Sequence, residues 1–348
     1  MKSNFQRIVK SYKKAQKEYD KDFKSDHWER GYKKRNDLFK FKNLKNFRNN
    51  SLSFGLDTRT GSLKNQKLLY EEIKRKHNND FVNNNLSNKN VGNLKNCFKD
   101  GGKFIDPNAL FHIDCTKEIL DCINKKDIRI KNICEIGAGF GSMSRILINL
   151  FKSSKLIIID LPEANYLCSY YLLKHFPSKK FLFYSDLKAN FINQEIIKDY
   201  DIIILPAWVK LQNLEIDVFA NVRSFMEMDI HVIKDYFNTI QKLISKNGIF
   251  LNINRYDKRT VGYPIKFDNY PYDKNWSVLV SKPTWTTSNT YTLITQRNFS
   301  NSNIFGELKK IRYLRIINYF KINKHLIKNI LPENFFLFLQ KIKHKYLQ

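Results

Sequence analysis

The stretch that decides the fold is Asn132-Ile133-Cys134-Glu135-Ile136-Gly137-Ala138-Gly139-Phe140-Gly141, a short apolar run that opens into a glycine-rich loop. The residues that follow, 142–151, have the apolar spacing of an amphipathic helix. Closely spaced glycines between a strand and a helix let the backbone turn tightly and approach a ligand. In parallel α/β sheets such a loop lies at the carboxyl edge, where ligands bind. The sequence therefore predicts a ligand site at residues 135–141.

Apolar runs and helical patterns alternate along the chain on both sides of this loop. Because the runs show no polar alternation, they predict buried parallel strands covered by helices on both faces. The sequence thus predicts an α/β, Rossmann-like sheet that is mostly parallel and ends in an antiparallel pair. The predicted strands are 128–136, 155–160, 181–184, 201–205, 216–220, 249–253, 276–281 and 291–295, and the predicted helices are 109–124, 142–151, 164–175 and 229–244, the last stopped by Lys246-Asn247-Gly248.

Three regions follow from the change of pattern along the chain. Residues 1–105 are predicted to be a helical, basic N-terminal extension, with a helix at 63–77 and a long loop at 78–103. Residues 106–300 form the α/β domain, and residues 301–348 a basic helical tail. Of the net charge of +28, residues 1–100 carry +14 and residues 301–348 carry +8, which leaves +6 for the rest. Basic flanks favour an anionic partner, whether nucleic acid, acidic glycolipid or membrane surface, unless they are only a solvated lysine-rich surface.

Composition also bounds the location of the protein. The five cysteines form no C-x-x-C pair, which argues against a disulfide framework and against a zinc site. No signal peptide and no membrane-spanning run are visible in the sequence. We therefore expect a cytoplasmic protein, with peripheral contact at the inner membrane face left open for the basic, apolar tail.

The spacing of the glycines separates two classes of ligand. A nicotinamide site uses G-x-G-x-x-G to hold a pyrophosphate, whereas this loop reads G-x-G-x-G and places Glu135 two residues before the first glycine. A carboxylate there repels a pyrophosphate but suits a ligand with an amino group and a sulfonium. Asp160 ends the next predicted strand, where a carboxylate accepts hydrogen bonds from both ribose hydroxyls. The alternative is a tight turn that binds nothing.

With these motifs the chain resembles class I S-adenosylmethionine-dependent methyltransferases, and more narrowly the bacterial sugar O-methyltransferases found with surface-polysaccharide genes. The resemblance covers residues 106–298. Ala207 departs from the larger or polar residue expected there. The segments that carry the resemblance are Glu135 to Gly141, Asp160-Leu161-Pro162-Glu163, Tyr200 to Trp208, Asp217 to Asp229, which contains the distinctive Asn-x-x-Ser-x-x-Glu-Met, and Asn252 to Tyr256.

The resemblance implies S-adenosylmethionine as the cofactor. Trp208 is the stacking candidate for the adenine ring, and Asp186 is a competing polar partner if the strand at 181–184 is the relevant one. The implied cofactor-binding residues are Glu135, Gly137, Ala138, Gly139, Phe140, Gly141, Asp160, Leu161, Trp208 and Asn221.

Alcohol methylation needs a base that removes the hydroxyl proton. The candidates are Glu227, His231 and Asp229, with structural alternatives for each: an ion pair for Glu227, an exposed helix residue for His231 and a helix N-cap for Asp229. No compact carboxylate–His ligand set is visible, so no metal ligand is assigned, although some sugar methyltransferases use a divalent metal. The candidate substrate-binding residues are Arg223, Asn254, Arg255 and Tyr256.

The sequence therefore predicts an O-methyltransferase that acts on a sugar hydroxyl of a surface polysaccharide or of its nucleotide- or lipid-linked precursor. An RNA or other small-molecule methyltransferase is the alternative, although the nearly balanced core and the absence of an Asn-Pro-Pro-Tyr-type motif argue against a nucleic-acid partner. A non-catalytic adaptor at a membrane surface is the alternative of another class.

Overall fold

The structure is a computed structural model of the chain, and it describes residues 2–19, 28–29, 41–49, 62–259, 264–285, 289–298 and 302–322. Its helices are α1 (Lys2–Lys17), α2 (Leu63–His77), α3 (Asn79–Asn85), α4 (Pro107–Lys126), α5 (Ser142–Leu150), α6 (Pro162–His175), α7 (Gln194–Ile197), α8 (Ile230–Leu243) and α9 (Ile304–Ile322). Its strands are β1 (Phe98–Asp100), β2 (Lys103–Ile105), β3 (Asn132–Ile136), β4 (Lys155–Asp160), β5 (Phe181–Phe183), β6 (Phe191–Ile192), β7 (Ile202–Pro206), β8 (Lys210–Leu211), β9 (Ile216–Val222), β10 (Ile244–Arg255), β11 (Asp257–Lys258), β12 (Ile265–Lys266), β13 (Trp276–Pro283) and β14 (Thr290–Arg297).

Eight strands form one sheet in the order β13-β14-β10-β9-β3-β4-β7-β5. The strands from β10 to β5 pair in parallel, whereas β14 is antiparallel to both β10 and β13. The predicted α/β class, a mostly parallel sheet with a terminal antiparallel pair, is confirmed. Because β3 lies at the centre, between β4 and β9, the glycine loop that follows it opens at the middle of the carboxyl edge.

The strands are apolar along their whole length because helices pack against both faces of the sheet. Along β4, Ile157 and Ile159 belong to one hydrophobic core, and Leu156 and Ile158 belong to the other. The first core is closed by α8 and α9, and the second by α1, α4, α5 and α6. Alternate residues of a strand point to opposite faces, so a strand buried twice must be apolar throughout. Among the described residues, no helix is long and apolar enough to cross a membrane.

Two predicted local features are wrong. Helix α8 ends at Leu243 and passes directly into β10, so Lys246-Asn247-Gly248 is not a helix stop. These residues lie within β10 where its register with β9 shifts, and the left-handed Asn247 (φ 67°) accommodates the irregularity. The predicted loop at 78–103 contains α3, whose first turn is capped by the Asn78 side chain, and the β1–β2 hairpin.

The described parts of both flanks pack on the sheet domain. Helix α1 lies against α6 and the turn Tyr184–Asp186, and Ile8 is buried there. Helix α9 buries Ile311 and Leu314, and it is fixed to the core because the guanidinium groups of Arg312 and Arg315 bind the fully buried Asp268 carboxylate at 3.0 and 2.7 Å. Residues 323–348 lie outside the described residues, so membrane contact through the tail stays a prediction.

Candidate functional site

The glycine loop after β3 is pressed against the segment that follows β9. The Gly137 N–H donates to the carbonyl oxygen of Ile159 at 2.8 Å, and Gly137 has a φ of 78°. A Cβ atom at Gly137 would lie 1.9 Å from the Ser224 hydroxyl oxygen. Only glycine fits this position, both in backbone conformation and in space. We call residues 135–141 together with Asp160 the cofactor edge.

Asp160 ends β4 beside the loop and ties it in place. Its two carboxylate oxygens accept from the backbone N–H groups of Gly139 at 2.8 Å and Leu161 at 2.7 Å. Burial raises the pKa of Asp160 to about 7, although these two hydrogen bonds lower it, and Glu163 and Glu227 raise it further. A carboxylate oxygen accepts more than one hydrogen bond. Asp160 therefore retains acceptor capacity for a vicinal diol such as that of a ribose.

Two predicted cofactor-binding side chains are directed into the protein instead. Glu135 is buried and accepts a hydrogen bond from the Ser144 hydroxyl on α5, and burial raises its pKa to about 7. The Phe140 ring packs against Phe47 and Tyr171, with centroids 5.6 and 5.2 Å away. The small Ala138 lies partly buried in the loop, and contact of the loop backbone with a ligand stays a prediction.

A cavity of about 860 Å³ opens next to the cofactor edge on the α8 face of the sheet. Its volume is in the range of small-molecule sites. Ile136 and Ile159, the residues just before Gly137 and Asp160, line it, whereas Gly137 and Asp160 themselves are not among its lining residues. The other residues that the argument uses are Glu18 from the end of α1, Tyr184 and Trp208 from the segments after β5 and β7, and Asp235 and Tyr236 from α8. Asp160 is close enough to add to the raised pKa of Tyr236, which is caused chiefly by burial.

The two predicted adenine partners follow different strands of the sheet. The neighbour of β4 is β7, and Trp208 follows β7 and lines the cavity. Asp186 follows the outermost strand β5, and its carboxylate binds the Arg7 guanidinium at 2.6 Å and the Phe183 N–H at 2.9 Å. Trp208 therefore lies in the cavity wall, whereas Asp186 binds helix α1, and contact of Trp208 with an adenine ring stays a prediction.

Three fully buried asparagines hold the segment after β9, residues 221–229, which we call the acceptor block. The Asn221 amide donates to the Ile136 carbonyl at 2.9 Å, and its oxygen accepts from the Phe225 N–H at 3.0 Å. The Asn254 oxygen accepts from the Met226 N–H at 3.1 Å, and its amide donates to the oxygens of Asn221 at 2.9 Å and Asn252 at 2.7 Å. Asn221 and Asn254 thus position the block, and their direct contact with a ligand stays a prediction.

The three candidate bases occupy different environments. Glu227 is partly buried and accepts a hydrogen bond from the Lys258 ammonium group at 2.8 Å, and its charge contributes to the raised pKa of Asp160. Asp229 precedes α8 but its side chain does not cap the helix. His231 is exposed on the first turn of α8. Of the three candidates, Glu227 is the one whose charge is among the causes of the raised pKa of Asp160.

The other predicted substrate residues surround the acceptor block. Arg223 has a left-handed backbone (φ 61°), its N–H donates to the Ile253 carbonyl at 2.6 Å, and its guanidinium lies 5.9 Å from the centre of the Phe111 ring. Arg255 is half-buried, and Tyr256 is buried against Tyr291 at a centroid distance of 5.2 Å. Among the described residues, no group of three or more His, Cys, Asp or Glu side chains could hold a metal ion.

Several residues of the site, among them the cavity residues Glu18 and Asp235, were not predicted. Asn252 was missed although two asparagines two residues apart in an apolar strand indicate a polar pair on one face. Lys258 and Tyr236 carry no local signal, since their roles come from residues distant in the chain. Tyr184 joins a strand end to α1 through long-range contacts that no local pattern predicts.

No protein-family model matches this chain, and no curated protein matches it. Several solved structures are similar to part of it, each at low identity. A mitomycin 7-O-methyltransferase is 14% identical with a TM-score of 0.35 over 54% of this chain, which spans about half, 56%, of that protein. An S-adenosylmethionine-dependent methyltransferase from Clostridium acetobutylicum is 11% identical, with a TM-score of 0.37 over 54% of this chain and 92% of that one. A similar enzyme from Aquifex aeolicus is 12% identical, with a TM-score of 0.34 over 55% of this chain and 94% of that one. At these scores the structural similarities do not indicate a function. The function proposed below therefore rests on the geometry of the site.

Proposed function

We propose that this protein is an S-adenosylmethionine-dependent O-methyltransferase that acts on a sugar hydroxyl. The observation that carries the proposal is the cofactor edge: a glycine loop at the centre of the carboxyl edge, tied by its Gly139 N–H to the carboxylate of Asp160 at 2.8 Å. A cavity of about 860 Å³ adjoins this edge. The chemistry needed from the cofactor is a methyl group on a sulfonium, which is already a good electrophile.

The residues present fit such a cofactor. Asp160 retains acceptor capacity for the ribose hydroxyls, and the glycine at 137 lets the loop lie directly against Ser224 of the acceptor block. Burial and the nearby carboxyls raise the pKa of Asp160, so a bound cation or a diol that donates hydrogen bonds would favour its ionised form. Trp208 offers an aromatic wall in the cavity beside these groups.

The acceptor block supplies the second half of the reaction. Glu227 is oriented by Lys258 at 2.8 Å, and it would accept the proton of the acceptor hydroxyl as the oxygen attacks the methyl carbon. The asparagine network fixes the block against the glycine loop, so the base and the loop keep one geometry. Correct alignment of the attacking oxygen supplies much of the rate in such a transfer. The Asn-x-x-Ser-x-x-Glu-Met motif of the sugar group lies in this block, which supports a sugar as the acceptor.

Calorimetry with S-adenosylhomocysteine tests the cofactor assignment. We expect binding by the wild-type chain and a loss of about 100-fold in affinity for Asp160→Ala, because two hydrogen bonds to a charged group disappear. Asp199→Ala is the matched control, since Asp199 is exposed just before β7 at the opposite edge of the sheet. Equal affinity in wild type and Asp160→Ala would contradict the proposal.

Transfer of a labelled methyl group tests the acceptor class. The purified chain is incubated with labelled S-adenosylmethionine and, in separate reactions, with nucleotide-linked sugars, lipid-linked glycans and total RNA. Label on a glycan hydroxyl supports the proposal. Label on RNA alone would show that the acceptor is a nucleic acid and not a sugar. If the chain binds vesicles but has no affinity for the cofactor, a non-catalytic adaptor is favoured.

A further inference from the structure

The N-terminal helix reaches across the sheet edge to the cavity. Arg7 binds Asp186 at 2.6 Å, and the Ser185 N–H donates to the Ser11 hydroxyl at 2.7 Å. The Lys14 ammonium group donates to the carbonyl oxygens of Tyr184 and Leu187 at 3.3 and 3.2 Å. These contacts join residues about 170 positions apart, and they fix the end of α1 as a wall of the cavity.

A hydrogen-bonded chain connects that wall to the aromatic residue of the cavity. The indole N–H of Trp208 donates to the Tyr184 hydroxyl oxygen at 3.3 Å, and the Tyr184 hydroxyl donates to the carboxylate of Glu18 at 2.6 Å. Tyr19 packs edge-on against Trp208 at 5.7 Å. Glu18 and Trp208 both line the cavity, so a carboxylate is held in a defined direction beside a flat indole.

The Glu18 carboxylate beside the Trp208 indole favours one class of ligand over another. A carboxylate is only an acceptor, so it favours a planar heterocycle with an exocyclic amino group over one with a carbonyl at the same place. We propose that Glu18 recognises the amino group of the adenine ring, an inference that rests on the proposed function. The N-terminal helix then completes the cofactor site, and the Asp186 carboxylate, bound by Arg7, anchors the helix instead.

Binding of two analogues that differ at one group tests this inference. S-Adenosylhomocysteine has the amino group, and S-inosylhomocysteine has a carbonyl oxygen in its place. By calorimetry with the full chain we expect the wild type to prefer the adenosine analogue by about 10- to 100-fold, the range for a hydrogen bond to a charged group. Glu18→Ala should reduce the preference to about threefold or less, mainly by weakening the adenosine analogue.

A second variant separates recognition from general damage. The amide of Glu18→Gln can present either a donor or an acceptor, so it should bind the inosine analogue more tightly than Glu18→Ala does. Glu71→Gln on α2, which contributes no residue to the cavity, is the matched control and should keep the wild-type preference. Glu18 follows the last residue of α1 and is exposed, so these variants should fold.

The possible outcomes separate this inference from the proposed function. Binding of both analogues with equal affinity by the wild type would overturn the role of Glu18 and leave the cofactor assignment standing. A preference that survives in Glu18→Ala but disappears in Asp235→Ala would place recognition on α8 and also overturn it. If the wild type binds neither analogue, the proposed function fails, and the inference fails with it.

Discussion

The cofactor edge and the acceptor block meet at Gly137 and Ser224, but they are built differently. The cofactor edge is held by hydrogen bonds between loop backbone groups and the carboxylate of Asp160. The acceptor block is held by hydrogen bonds to fully buried asparagine amides. Its most distinctive asparagine, Asn221, is one of these and faces the core. The sequence motif in the first region predicts ligand contacts, whereas the motif in the second partly reports the support of a turn.

The largest expected effect is on the rate of methyl transfer, from a substitution that removes the candidate base of the acceptor block and leaves the cofactor edge unchanged. Glu227→Gln should lower the rate of methyl transfer by about 10²- to 10⁴-fold, the usual contribution of a general base. Affinity for S-adenosylhomocysteine should change little, because Asp160 and the loop backbone are unaltered. Single-turnover transfer and calorimetry on the same protein provide the measurement.

Glu195→Gln is the matched control for this variant. Glu195 is exposed, and its ion pair with Lys198 lies on the short helix α7. A comparable loss in His231→Ala, with Glu227→Gln fully active, would move the base to the start of α8. That result would contradict the role of Glu227.

The next effect concerns the contact between the two regions. Gly137→Ala should lower the free energy of unfolding by about 3–5 kcal/mol, because the left-handed backbone is strained and the new methyl group collides with Ser224. Denaturant unfolding measures the loss. The double variant Gly137→Ala/Ser224→Gly removes the collision but keeps the strain, so it should recover about 1–2 kcal/mol. No recovery would show that the two segments do not press together.

The sequence predicts the place of the glycine loop and of Asp160 in the sheet because these signals are local, but it does not predict that Glu135 and Phe140 face the protein. Glycine spacing and a terminal carboxylate on a continuous apolar strand are determined within about 30 residues, and the same apolar strands predict the sheet. The acceptor block is predicted only as a segment. Whether Asn254 faces a ligand or the core depends on its pairing with Asn221 across two strands, which the sequence pattern does not contain.

Long-range contacts explain the remaining failures. Glu18 lines the cavity because the end of α1 contacts the turn at Tyr184, which is far away in the sequence. No residue pattern within either segment predicts this contact. The error at Lys246-Asn247-Gly248 has a different cause. Glycine after a polar helix end is a good stop signal, but strand pairing with β9 begins already at Ile244 and overrides it.

A smaller effect tests whether the asparagine network is support. Asn254→Ala should lower the free energy of unfolding by about 2–3 kcal/mol, since the Met226 N–H and two side-chain groups lose their partner in the core. Asn124→Ala, on the exposed face of α4, should stay within about 0.5 kcal/mol of the wild type. If Asn254→Ala instead keeps full stability and loses only acceptor binding, the asparagine contacts the substrate directly.

The smallest effect concerns the pH dependence of the cofactor edge. Burial raises the pKa of Asp160 to about 7, and the proposed binding of a ribose would use its ionised form. Affinity for S-adenosylhomocysteine should therefore rise by up to about tenfold per pH unit from pH 5.5 to about 7 and then level off. His112 and His175 do not contribute to this slope, because burial lowers the pKa of each to about 3 and both stay neutral. In Asp160→Asn the affinity should be lower and nearly independent of pH.

If the pH dependence persists in that variant, the titrating group is Glu135 and not Asp160, because burial also raises the pKa of Glu135 to about 7. The charge linked to ligand binding would then lie in the strand before the glycine loop and not at the end of β4.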